Sequence, residues 1–191
     1  AETRAGRHSL YGIQTWVALP KDYAEVAPNF VHHPAETLPE FDLGGAHARV
    51  LAGTAFGHTA PVEFPWGIWY VGADADHGAV FTIGADEAEE RAIYIAFGQA
   101  EIDGEVLEPG QMAVFVPRKD VPVSVSPGTR FMLAGGQTMD GPRKIEWNFV
   151  ATDQARLEQA KADWRASAAG DWQNTPFTLP DGEDDYIPLP E

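Results

Sequence analysis

Short apolar runs separated by turn signals fill the middle of the chain, and none is long enough for an ordinary helix. Residues 91–136 read RAIYIAFGQAEIDGEVLEPGQMAVFVPRKDVPVSVSPGTRFMLAGG. Five runs rich in Val, Ile and Phe are set between tight turns, which is the pattern of strands. Asp103-Gly104 predicts a two-residue hairpin turn with positive φ at both positions. Pro109-Gly110 and Pro127-Gly128 predict type II turns, Pro presetting φ and Gly taking the left-handed position. Upstream, residues 47–56, 67–71 and 80–83 read as further strands. Gly53 and Gly57 mark a bulge or a close backbone approach. Residues 10–19 are apolar and β-prone up to Pro20, and residues 29–33 suit a short edge strand before Pro34. Residues 145–150 are expected to close the sheet. Closely spaced strands joined by tight turns predict an all-β fold, an antiparallel β-sandwich or small barrel of jelly-roll type.

The period changes once. Leu157, Ala160, Trp164 and Ala168 recur at helical spacing, with Thr152 as the expected N-cap, Asp153 beside it and Gly170 near the end. The tail alternates aromatics, prolines and acids and closes DGEDDYIPLPE. The expected organisation is a barrel over residues 1–150, one amphipathic helix over 151–170, and an extended acidic and aromatic tail over 171–191. The apolar residues of the tail should dock it on the barrel.

Composition narrows the function classes. The 191 residues are 44% hydrophobic, with six Trp and ten Phe, enough for one sizeable core. A formal net charge of -16 supplies no basic footprint for direct nucleic-acid binding. No apolar run approaches a membrane span, and no charged-then-apolar secretory start is visible, so a cytoplasmic location is expected. The opening AETRAGRHSLYG reads like the middle of a longer chain. With no cysteine there is no disulfide, thiolate ligand or cysteine nucleophile.

Candidate chemistry is sparse. His32 and His33 are adjacent, so on a strand they point to opposite faces. His47, His58 and His77 lie in separate segments and could meet only through the fold. Asp86, Glu87, Glu89 and Glu90 lack the alternating ligands and turn glycine of a calcium loop, and read as a solvated charge run. Asp181, Glu183, Asp184 and Asp185 read the same way, with the added possibility of meeting a basic partner surface. Trp66, Trp69 and Tyr70 could line a pocket for a flat aromatic molecule, or simply pack. The serines have no Gly-x-Ser-x-Gly elbow, and no phosphate-binding glycine loop is present.

The run Tyr94-Ile95-Ala96-Phe97-Gly98, a hairpin, Pro109-Gly110-Gln111 and a strand ending at Pro117 resemble the order of segments in cupins. Gln111 stands where that family usually has Asp. Cupins commonly hold a metal through a His-x-His pair, a carboxylate and a later histidine. Here Asp86 and Glu87 fall near the pair, Arg91 takes the carboxylate position, and Pro122 and Val123 stand near the last histidine. The resemblance therefore implies a barrel without metal. From the same position, strand alternation puts Arg91, Ile93 and Ile95 on the barrel-facing side. These three and Trp69 are the candidate binding residues. Arg91 could hold an anion bidentately, or pair with Asp86 or Glu87 and plug the metal position.

A narrower resemblance covers nearly the whole chain. GIQTWVALP at residues 12–20, PNFVHHP at 28–34, RVLAG at 49–53, WNFV at 147–150, the helix segment AKADW and the closing YIPLP are similar to the C-terminal half of bacterial pirins. Pirins are two-cupin proteins whose N-terminal cupin holds the metal, usually iron, through histidines and a glutamate. The Pro-His-Pro-His segment of that half does not occur here. The resemblance implies a second cupin that binds no metal and serves as a structural, regulatory or interaction module. Its expected partner is an N-terminal pirin cupin half, a second copy of the chain, or another protein. It also implies an alternative, a share in a quercetin 2,3-dioxygenase whose iron lies in the N-terminal cupin. A third reading is an anion or small-molecule sensor at Arg91.

Overall fold

The computed structural model describes residues 12–190. Two compact units emerge: Pro20–Gly141, and Pro142–Glu191 together with the described part of Ala1–Leu19.

The first unit carries eleven strands: β1 (Glu40–Leu43), β2 (Ala46–Ala55), β3 (His58–Thr59), β4 (Ile68–Ala75), β5 (Ala79–Ile83), β6 (Glu90–Phe97), β7 (Ala100–Ile102), β8 (Glu105–Leu107), β9 (Met112–Val114), β10 (Val121–Val125) and β11 (Thr129–Gly136). One sheet runs β1-β2-β4-β11-β6-β9, with β3 paired to the end of β2; the second runs β5-β10-β7-β8. Every pairing is antiparallel. The unit is a two-sheet sandwich, as the strand pattern predicts.

Alternation builds its core. Val50, Val71, Ile93, Ile95, Phe131 and Leu133 are buried on the larger sheet, and Phe81, Ile83, Val121, Val123 and Val125 on the smaller. Phe81 and Phe131 stack with ring centroids 5.4 Å apart. The turns are those expected from sequence. Asp103 and Gly104 take φ of 52° and 81° between β7 and β8, while Gly110 and Gly128 sit at 85° and 76°. Residues 91–136 thus supply most of six strands, one more than their five apolar runs suggest.

Gly53 is the close approach that its sequence position suggests. Its φ is 69°, and a Cβ there would lie 1.7 Å from the Ile68 carbonyl oxygen across the β2–β4 pair. A register shift between Val50 and Ala52 precedes it. Gly53→Ala is expected to destabilise the unit by more than the 1–2 kcal/mol or so that positive φ alone imposes, because the backbone must also move. A urea-denaturation midpoint equal to that of the parent would contradict this.

Two predicted strands do not form. Residues 29–33 are irregular and largely exposed, with Phe30 at 90% exposure. Residues 12–19 are also irregular, and Leu10 and Tyr11 lie outside the described residues. Both stretches have β-prone composition, but among the described residues no strand pairs with them.

In the second unit, residues 145–150 do not close the sheet. β12 (Lys144–Glu146) and β13 (Phe149–Ala151) pair only with each other. Trp147 turns the hairpin at φ 50°, unusual for so bulky a residue, and its ring meets Phe149 and Trp164 edge-on at 5.3 Å each. Those ring contacts offset the strained backbone. Helix α1 (Gln154–Ala169) follows, capped by Asp153, which accepts the Arg156 amide at 2.9 Å; Thr152 is therefore not the N-cap. Leu157, Ala160 and Ser167 are its buried positions. The tail is irregular and lies along this helix: Trp172 meets Trp164 at 4.9 Å, and Trp164 Nε1 donates to the Ile187 carbonyl at 3.2 Å. Among the described residues, no helix is long and apolar enough to cross a membrane.

Candidate functional site

β6 presents Arg91, Ile93 and Ile95 to the sandwich interior at 1%, 0% and 0% exposure, as alternation predicts. The partners of Arg91 are not the acids considered from sequence. Nη1 donates to the carbonyls of Ile83, at 3.2 Å, and Gly84. Nη2 donates to those of Val116, at 3.2 Å, and Lys119, at 2.9 Å. A guanidinium has four terminal N–H groups, and these bonds engage all of them. The remaining donor, Nε, is buried without a protein partner. Arg91 is therefore a staple. It joins the end of β5 to the segment that follows β9, and it offers no free bidentate edge to an anion.

Glu87 is held elsewhere. Glu87 accepts the Phe56 amide at 3.0 Å through its carboxylate and the Trp69 indole N–H at 3.1 Å through its carbonyl. Asp120 accepts the Ala85 amide at 2.7 Å. These bonds tie the acidic loop down at the same end of the sandwich as Arg91.

Trp69 is 3% exposed and meets Phe56 edge-on at 6.0 Å. A Cβ on Gly135 would lie 2.5 Å from its indole, so glycine is what makes room for the ring. Tyr70, next along β4, points to the other face, and Trp66 sits before the strand with its indole N–H on the Gln137 carbonyl at 3.2 Å. The three rings do not converge on one pocket. Neighbouring strand positions cannot share a face.

The histidines are equally dispersed. His58 stacks on Phe41 at 4.7 Å, His47 lies 3.6 Å from Glu40, and His77 is exposed in the turn after β4. His32 and His33 belong to the irregular segment. Among the described residues, no three of His, Asp and Glu converge into a ligand cluster. Val123 is buried in the core opposite Phe81, and Pro122 is exposed beside it. At the position matching a cupin carboxylate stands a cation whose donors already occupy the nearby oxygens. This side-chain set does not fit iron.

One exposed carboxylate near this loop responds to its setting. Glu89 accepts the Thr138 amide at 2.9 Å, and that hydrogen bond holds its pKa below the ordinary value. A lowered folded-state pKa gives stability that is present above the unfolded pKa and lost as pH falls through the folded one. Glu89→Gln, which does not titrate, is therefore expected to flatten the decline in stability below about pH 4.5. Denaturation midpoints from pH 6 to pH 2 check this; parallel profiles would count against it.

The antiparallel sandwich with this order of strands and turns defines the class: a cupin-type domain. The pirin C-terminal cupin domain matches residues 70–170, more than half of the chain, and the chain belongs to that family. A pirin-like protein of Caulobacter vibrioides is 44% identical over 183 residues, covering 94% of this chain and 60% of the relative. Pirin-1 of Arabidopsis thaliana is 24% identical over 166 residues, covering 83% of this chain and 58% of the relative. The crystal structure of quercetin 2,3-dioxygenase from Acinetobacter baumannii superposes with a TM-score of 0.73 at 25% identity, over 90% of this chain and 59% of that one. The chain thus spans about three fifths of the length of each of these three proteins.

The helix is legible from its period alone, whereas the Trp69–Gly135 contact, made across the sheet, carries no sequence signal. The carbonyl cage around Arg91 was missed from sequence, because backbone oxygens carry no residue signature.

Proposed function

We propose that this chain acts as a cupin module that binds no metal itself, a structural and interaction unit of a cytoplasmic pirin-type protein. The observation that carries this reading is Arg91, buried at the position of a metal-binding carboxylate with four carbonyls on its guanidinium. Its partner is an N-terminal pirin cupin half or a second copy of the chain. Exposed apolar residues suited to such contact include Val26, Phe30 and Val31 before the sheet and Met112, Val114 and Val116 at its β9 edge. Equilibrating the chain with iron, nickel, copper, zinc and manganese and measuring bound metal is the test. Substoichiometric metal is expected throughout; one tightly held ion per chain would overturn the reading.

A second reading is favoured by the likeness to the Acinetobacter quercetin 2,3-dioxygenase. Here the chain completes a dioxygenase whose iron lies in an N-terminal cupin. Oxygen uptake with quercetin separates the cases. The chain alone with added iron is expected to be inactive, and activity restored by co-expressing an N-terminal cupin would favour the second reading.

A further inference from the structure

The second unit contains a concavity that the staple and the sandwich do not explain. It has a volume of about 560 Å³ and lies between the end of α1 and the tail, with walls that include Trp172, Tyr186, Asp171, Asp181 and Asp184. That volume is within the roughly 300–1,000 Å³ of small-molecule sites. Trp172 and Tyr186 meet at 4.9 Å with their planes 63° apart, forming an aromatic corner. Trp164 backs Trp172 at 4.9 Å, and its N–H on the Ile187 carbonyl anchors the tail next to Tyr186. The rim is also fixed: the Glu183 amide donates to the Pro180 carbonyl at 3.1 Å, with Gly182 at φ 79°, so a closed turn carries Asp181 and leads into Asp184. No Lys, Arg or His is among the described lining residues.

We propose that this pocket binds an organic ammonium group. The exposed Tyr186 ring set against Trp172, in a lining whose charged residues Asp171, Asp181, Glu183 and Asp184 are all acidic, suits an organic ammonium, which gains from the ring quadrupole and needs no tight oxygen shell. A hard metal ion would need converging oxygen ligands, and among the described residues no such cluster forms. The ammonium could come from a free small molecule or from a lysine side chain of a protein, and one experiment separates the sources.

The full chain is titrated calorimetrically with tetramethylammonium chloride and, separately, with an N-acetylated, C-amidated Gly-Lys-Gly peptide, each against sodium chloride at equal ionic strength. At least one should saturate at one site. The exposed pair Asp181→Asn with Asp184→Asn should raise its Kd roughly tenfold, and Tyr186→Leu severalfold. Saturation by tetramethylammonium alone identifies a small quaternary ammonium as the ligand class, and saturation by the peptide alone identifies a lysine. The proposal is overturned if neither exceeds the salt control, or if the double variant, folded by circular dichroism, binds as tightly as the parent.

Discussion

Arg91→Met is expected to lower the stability of the sandwich unit by about 3–5 kcal/mol. Methionine fills much of the same volume but donates nothing. The carbonyls of Ile83, Gly84, Val116 and Lys119 would lose their shared partner at a site where Arg91 itself is 1% exposed. A hydrogen bond to a charged group contributes roughly 1.5–3 kcal/mol, and part of that returns as relaxation and solvent entry. Arg91→Lys should fall between, because an ammonium with three donors cannot reach four carbonyls arranged around a planar fork. Urea denaturation of the three proteins reads the order directly. If Arg91→Met unfolds at the parent midpoint, Arg91 is not a staple. That variant also separates the staple from an anion sensor, which would lose ligand binding while keeping its stability.

Trp69→Ala should be comparably damaging, at about 3–5 kcal/mol. The indole fills the space left by Gly135, touches Phe56, and holds the acidic loop through the Glu87 carbonyl. Removing it creates a cavity and leaves that carbonyl without its donor. Gly135→Ala tests the same fit from the other side, since its methyl would be driven into the ring. Thermal melts of both variants should shift down, and unchanged melting of Gly135→Ala would show that the contact is loose. Both expectations concern stability, although Arg91 and Trp69 attract attention in the sequence as binding residues.

Why some features were legible follows from how local their causes are. Asp103-Gly104, Pro109-Gly110 and Pro127-Gly128 adopt the expected positive φ at Asp103 and the three glycines because turn chemistry is decided within four residues. Arg91, Ile93 and Ile95 share the inner face because side chains alternate with period two. Residues 12–19 and 29–33 have strand composition but remain irregular, since a strand exists only with a partner, and the partner is not encoded nearby. Residues 144–151 form pairs too, but with each other, once Trp147 turns the chain back.

The sequence by itself determined the all-β class, the tight turns and the C-terminal helix. Each depends on residue identity over a short span or on a fixed period. Only the tertiary structure decided what Arg91 does. Its partners come from two segments 7–8 and 25–28 residues away, and they are backbone oxygens, identical in chemistry at every position. Tertiary packing likewise decided that Trp69 is a wedge against Gly135, and that Trp172 and Tyr186 form a corner beneath an acidic rim. A side chain's chemistry can be read from its letter, but its surroundings depend on which distant segments the fold brings to it.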